Sequence, residues 1–390
     1  MHLTPYVVGA LSASQNVIFS QSLRCSEITI PVSIQSTNAY IDPNINSAPS
    51  LYNALRNIYS GITDFVFNVN VAGTYNISAR YCEPEVDIPS RRNTIQLLVH
   101  GITYTKDYWS GLGPPGSGFD GDTYSWIAYA SKQGYPTLSI DRLGNGQSDR
   151  PNGLTVVQIN SHIEVTQSLV NLLKTGAIGK RAFDKVIYVG HWLGSVVGNL
   201  HSVKYPSAVD TYMLTGFTLK ARSSYIPTAI TGVFLPATIA YPKKWAGQAL
   251  SYFVSSSMRG ANKLFFVLPN TDPSLVALNF KLRGTVTVGE FITLFEGPKA
   301  APEYKGRVFV LTGQNDSIFC SPGILGEGTL TGRGDCGTGV DNLAYRTREL
   351  YPSAIEFDYS TPNNTGHCNI LHLNAQEQFR IAHDWLNQFY

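Results

Sequence analysis

"YVGHWLGSVVG", residues Tyr188 to Gly198, is the stretch on which the rest of the chain turns. The apolar run "KVIYV" leads into Gly190-His191-Trp192-Leu193-Gly194, and small and apolar residues continue beyond it. This is the layout of a G-x-S-x-G turn, in which a strand bends sharply into a helix and lifts the central residue above a sheet. Glycines stand on both sides because, without Cβ atoms, strand and helix can pass close to each other. Where that pattern has serine, this chain has Trp192. The reading therefore has to explain what a turn of this kind does when its apex carries an indole.

Working outward, the same strand-and-turn unit recurs. "TIQLLVHG" (94–101) is a short continuous apolar run ending at a glycine, as expected of a strand covered on both faces. "YPTLSIDRLG" is a strand followed by a Gly-rich loop, and Thr155–Thr175 has helical spacing of apolar residues. Leu193–Tyr205 is the helix after the turn; "TYMLTGF", "RVFVLTG" and "AIEFDYS" are further strands, and Gln376–Phe389 is a closing helix. Alternation of this kind predicts an α/β fold, a doubly wound and mostly parallel sheet. Residues 1–90 read as an N-terminal β extension of strands and loops packed on the core, and "DFVFNVNVAGTYNISARY" reads as a hairpin turning at Gly73. The core is expected in two parts, 91–216 and 303–390. Between them, 217–302 is aromatic and apolar without a clear period, the composition of a lid inserted between strands over their carboxyl ends.

Four motifs in one chain order carry a resemblance to a known family. His100-Gly101 follows a strand; Asp141-Arg142-Leu143-Gly144-Asn145-Gly146-Gln147-Ser148 matches D-x-x-G-x-G-x-S; the turn at Trp192 follows; and Asp316, after "VFVLTGQN", precedes His367, after "STPNNTG". The chain resembles the α/β-hydrolase superfamily, in its fungal lipase- and esterase-like branch, from about Thr94 to the C-terminus with the lid excluded. The resemblance implies that Asp316 steadies His367 and that Trp192 holds the nucleophile position. It also implies an oxyanion hole from the backbone N–H of Leu193, at a helix start, with that of Ile102 or Thr103. The D-x-x-G-x-G-x-S loop is read as structural support beside the site.

An indole does not serve as an acyl-transfer nucleophile at neutral pH, so attack by residue 192 and an acyl-enzyme are closed off. Ser195, nearly one helical turn on, points elsewhere. His191 is read as facing a neighbouring strand or helix, and His201, Ser202 and His372 as packing residues. Three explanations stay open. In the leading one, His367 and Asp316 act as general acid and base without a covalent step, on a hydrophobic carbonyl compound of the kind made in fungal natural-product pathways; cyclisation, condensation, isomerisation and elimination all fit. In the second, an ester, lactone or amide hydrolase has had its serine replaced by Trp192. In the third, the protein only binds a small molecule.

Bulk properties exclude several other classes. A net charge of +2 offers no strong pull toward nucleic acid or anionic surfaces. No apolar run approaches the roughly 20 residues of a membrane-spanning helix. Hydrophobic residues at 43% and charged residues at 14% suit a sizeable core and an apolar, aromatic-lined site for a hydrophobic small molecule. No cofactor or metal is indicated: "GNGQS" lacks the lysine of a phosphate loop, no G-x-G-x-x-G opens a helix, and the cysteines lack metal-ligand spacing. Of five cysteines, Cys25 could staple to Cys82 and Cys320 to Cys336, leaving Cys368 over. The stretch Tyr6–Leu11 resembles a short, weak signal-peptide core with no basic residue before it, so a secreted and a cytoplasmic location are equally open.

Overall fold

A computed structural model describes residues 23–390 apart from Thr63, Lys180 and Ile324; the Tyr6–Leu11 stretch lies outside the described residues. Strands β1 (Arg24–Ala39), β2 (Phe67–Glu83), β3 (Thr94–Val99), β4 (Thr137–Ile140), β5 (Lys185–His191), β6 (Thr211–Thr215), β10 (Arg307–Leu311) and β11 (Glu356–Ser360) form one sheet in the order β1-β2-β4-β3-β5-β6-β10-β11. From β4 to β11 every pairing is parallel, whereas β1 and β2 join antiparallel at one edge. Strands β3, β4 and β6 are buried along their whole length, as continuous apolar runs covered by helices on both faces require. Helices α1 (Ala48–Tyr59), α2 (Trp126–Lys132), α3 (Ile159–Lys174) and α4 (Leu193–Lys204) precede β6 or flank it in sequence. The sheet is thus the doubly wound, mostly parallel one expected, with a β extension at its N-terminal edge.

The hairpin expected at Gly73 does not form. Strand β2 runs straight through it, with Gly73 opposite Ile34 of β1 in an unbroken register from Cys25↔Cys82 to Asn38↔Val69. The alternation supplies the reason: Val69, Val71, Tyr75, Ile77 and Ala79 share one parity, so the inward face never switches across the glycine. Disulfides join Cys25 to Cys82 across this strand pair and Cys320 to Cys336 beyond β10; Cys368 is a free, buried thiol.

Between β6 and β10 the chain leaves the sheet. This segment holds α5 (Tyr225–Thr231), β7 (Phe234–Pro236), α6 (Ala237–Ala240), β8 (Tyr252–Ser255), α7 (Met258–Phe265), α8 (Pro273–Leu282), β9 (Val286–Thr287) and α9 (Val288–Thr293), with a small antiparallel sheet β7-β8-β9. The short helices α10 (Glu327–Thr331) and α11 (Leu343–Arg346) follow β10, and α12 (Ala375–Leu386) closes the chain.

One buried carboxylate ties this inserted segment to the core. Thr287 and Glu290 form the capping box of α9: the Glu290 N–H donates to Thr287 Oγ1 at 3.0 Å, and the Thr287 N–H to Glu290 Oε2 at 2.8 Å. The other oxygen, Oε1, receives the Arg142 guanidinium and pairs with His162 Nε2 at 2.8 Å. Arg142 and Glu290 are both sealed from solvent. Burial alone would raise the Glu290 pKa, but Arg142, His162 and the Thr287 N–H outweigh it and hold the carboxyl at about 2. Because the folded value lies below the ordinary value of about 4.3, the stabilisation is complete above that pH and drains away as pH falls toward 2. His162, also held below its ordinary value by burial, adds destabilisation in the same direction on acidification. Glu290→Gln strands a buried guanidinium and is expected to cost about 3–5 kcal/mol at neutral pH. Thermal melts recorded across the acid range should show a lower melting temperature for the variant and a flatter acid limb.

Candidate active site

The turn between β5 and α4 is built as its glycines require. A Cβ on Gly190 would come within 2.7 Å of the Gly194 carbonyl carbon, and one on Gly194 within 2.2 Å of the Val99 oxygen. No other residue fits either place. The crossing forces Trp192 to φ 46° and ψ −110°, a region costly for any residue with a side chain. Hydrogen bonds hold it there: the Trp192 N–H donates to the Thr215 carbonyl at 3.0 Å, the Val196 N–H to the Trp192 carbonyl at 2.9 Å, and the Tyr188 hydroxyl to the Gly194 carbonyl at 2.7 Å. Ser195 turns its hydroxyl onto the Thr215 carbonyl at 2.8 Å, away from the apex. The sharp turn thus persists with an indole at its tip.

His367 and Asp316 meet beside that tip. Asp316 lies in the loop after β10 and His367 in the loop after β11, and both are fully buried. His367 Nδ1 is 2.8 Å from Asp316 Oδ2. The other carboxylate oxygen accepts from the N–H groups of Ile318 and Phe319 at 2.8 and 2.9 Å, which fixes its direction. With Nδ1–H donating to Asp316, Nε2 carries a lone pair, and it has no hydrogen-bond partner. The ring is boxed in by aromatic groups: Phe319 and Phe265 stack on it at 5.7 and 6.0 Å, and Trp192 meets it edge-on at 5.3 Å.

The loop after β3 passes against the same turn. A Cβ on Gly101 would sit 3.0 Å from Trp192 Cβ, and Ile102 and Thr103 are the next two residues of this loop. Thr103 is held at φ 64°. Arg142 grips this loop through the carbonyls of His100 and Gly101, at 3.0 and 3.3 Å, and its N–H donates to His100 Nε2 at 3.0 Å. Leu193 opens α4, so its N–H has no partner within the helix.

The site is closed. Trp192, Leu193, Ile102 and His367 are all at 0% exposure, and Phe265 of α7 covers the indole and the imidazole. The apolar, aromatic-lined site expected from composition is here a packed aromatic cluster that includes Trp192, Phe265, Phe319 and His367. Outside it, Thr103, Tyr104, Tyr108 and Arg283 border a hollow of about 150 Å³.

Two residues do more than their sequence-based reading gave them. His191 faces a neighbouring strand, as expected, with Nδ1 3.0 Å from Thr215 Oγ1 of β6. Its ring stacks on Tyr108 at 4.5 Å and lies 4.9 Å from that of His367. His372 does more than pack: its Nε2 accepts from the N–H groups of Gly366 and Val267 at 3.0 and 3.1 Å. It thereby fastens the His367 loop to the chain just after α7, alongside the Cys368 N–H to Phe265 carbonyl bond of 2.9 Å. Neither role could be found by spacing, since both depend on which loops meet. Among the described residues, no group of three or more His, Cys, Asp or Glu side chains is placed to hold a metal ion.

No protein-family model and no curated protein sequence matches the chain. Solved structures do. A candidate hydrolase from Rickettsia typhi is 13% identical, with 94% of this chain and 100% of that one covered and a TM-score of 0.51. An alpha/beta hydrolase fold protein from Chitinophaga pinensis is 14% identical over 81% and 94% of the two chains, with a TM-score of 0.47. A thermophilic esterase from Thermogutta terrifontis is 12% identical over 91% and 98%, with a TM-score of 0.47. Likeness at such identity speaks to the fold. Together with the strand order and the parallel sheet, the likeness to the Rickettsia typhi structure, the one of these three above a TM-score of 0.5, shows a fold of the α/β-hydrolase type.

The preserved turn yields a direct expectation. Trp192→Ser places a hydroxyl at the apex beside His367 Nε2, with the Leu193 N–H adjacent. The variant should become covalently labelled by a fluorophosphonate, observed as a mass shift on the peptide containing residue 192, while the parent protein stays unlabelled there.

Proposed function

We propose that this protein is a non-covalent acid–base catalyst in which His367, oriented by Asp316, removes a proton next to a carbonyl group of a hydrophobic small molecule. One observation carries the reading. His367 Nε2 is sealed from water without a partner, while the opposite nitrogen is held by Asp316 at 2.8 Å. A buried polar atom left unpaired costs about 1–3 kcal/mol. Its retention beside a fixed carboxylate supports a proton-accepting role. The N–H groups of Leu193 and of Ile102 or Thr103 are the donors for the developing enolate oxygen. Trp192, unable to attack, is a wall against which the substrate lies once Phe265 and the inserted segment 217–302 move aside as a lid. Cyclisation, condensation, isomerisation and elimination share this first step. Two disulfides support an oxidising compartment for the protein.

The test needs no knowledge of the natural substrate. In heavy water, the parent protein should speed deuterium uptake into the methyl group of acetophenone, followed by proton magnetic resonance. His367→Ala should lower the protein-dependent rate by about 10²–10⁴-fold. Asp316→Asn should lower it too, by misdirecting the imidazole. Equal rates in parent and His367→Ala would sink the reading, as would the absence of any catalysed exchange across a panel of aryl ketones.

A further inference from the structure

We infer that His191 is a second catalytic imidazole, whose Nε2–H donates a hydrogen bond to the substrate oxygen that gains charge as His367 takes the proton. The inference rests on the acid–base reading above and adds a partner to its base.

Three observations meet at this ring. First, it belongs to the same enclosure as His367. The two rings are 4.9 Å apart, and both turn their Cε1 atoms toward Gly216, where a Cβ would lie 2.9 Å from that of His191 and 3.0 Å from that of His367. Gly216 itself sits at φ 52°, so the position suits glycine twice over. Second, His191 is fully buried and its Nε2 has no partner. His367 Nε2 in the same enclosure is unpaired as well, so a small fragment admitted between the rings can satisfy both. Third, one direction of the Nδ1 hydrogen bond gives the tautomer that the inference requires. His191 Nδ1 is 3.0 Å from Thr215 Oγ1. The Thr215 carbonyl is already taken by the Trp192 N–H and the Ser195 hydroxyl. If Nδ1 carried the proton, the buried Thr215 hydroxyl would have no acceptor for its own. If the hydroxyl donates to Nδ1, its proton is satisfied and Nε2 is the protonated nitrogen. His367, fixed by Asp316, has the opposite tautomer. In these forms the pair holds one lone pair and one N–H within the same enclosure.

That combination fits an H–C–C=O fragment. His367 Nε2 takes the proton; the C–H pair becomes the C=C bond of the enolate, and the carbonyl π pair moves onto oxygen. His191 keeps its proton and donates it as a hydrogen bond to that oxygen. The ring must be neutral for this. Burial, followed by the nearby His367 and His100, holds its pKa well below the ordinary value. The other titratable groups packed on it, Tyr104 and Tyr108, are held above theirs by burial and so stay uncharged.

The experiment has two arms. Long-range proton–nitrogen correlation spectra of the full, nitrogen-15-labelled protein at neutral pH should show His191 as the Nε2–H tautomer and His367 as the Nδ1–H tautomer, with peaks assigned from His191→Gln and His367→Ala. A protonated His191, or its Nδ1–H tautomer, overturns the inference whether or not any ketone is turned over. In the acetophenone exchange assay, His191→Phe should lose about 10²-fold in the maximal rate with little change in KM, as loss of one oxyanion donor does. His191→Gln, which keeps an N–H donor, should recover most of that loss. Unchanged exchange in His191→Phe, with exchange abolished in His367→Ala, refutes the role of His191 and leaves the base intact. Unchanged exchange in both refutes the base itself.

Discussion

Everything at the centre of this molecule follows from the close crossing of β5 and α4. Gly190 and Gly194 let the two elements pass within distances that a single added carbon would forbid. The crossing in turn pins residue 192 at a positive φ. A backbone arrangement of this cost persists only where the surroundings over-determine it. Here they do, through the Thr215 carbonyl, the Tyr188 hydroxyl and the packed loop at Gly101. The backbone contacts fix the turn, and Trp192 is the side chain that it displays.

Around that fixed apex, three loops at the carboxyl ends of parallel strands deliver the remaining groups. The loop after β3 brings Ile102 and Thr103, the loop after β10 brings Asp316, and the loop after β11 brings His367. Each is steadied from behind. Arg142 holds the carbonyls of His100 and Gly101, paired backbone N–H groups aim the Asp316 carboxylate, and His372 gathers the His367 loop. The buried Arg142–Glu290 pair links the first of these loops to α9 of the inserted segment. The loop after β3 and the inserted segment are thus tied together through α9, while Phe265 of α7 covers the imidazole.

Much of this was legible in the chain itself. Continuous apolar runs ending at glycines marked the parallel strands, and the motifs at His100-Gly101, Trp192, Asp316 and His367 named residues that the fold brings together. The register of β1 and β2 was not legible at Gly73, because a glycine inside an alternating run signals a turn only when the inward parity switches, and here it does not. The position of His191 escaped for a different reason. Residues beside the apex of a sharp turn take their surroundings from loops that arrive from far along the sequence, in this case those bearing Tyr108 and His367. The closure of the site by Phe265 was likewise beyond periodicity, since α7 lies in a segment whose apolar residues follow no single period.

The His372 ring has a consequence for how the protein spends binding energy. The same nitrogen that shapes the His367 loop also fastens the chain following α7. Under the acid–base proposal, admission and reactivity would share a hinge pin: a displacement of α7 large enough to let a guest enter would also slacken the loop that carries His367. A visitor must supply contacts that re-seat the loop after entry, and the free energy spent doing so is subtracted from its apparent affinity. On that reading, guests too small to restore the packing would enter without alignment, and the covering segment would act as a size filter on rate rather than on occupancy.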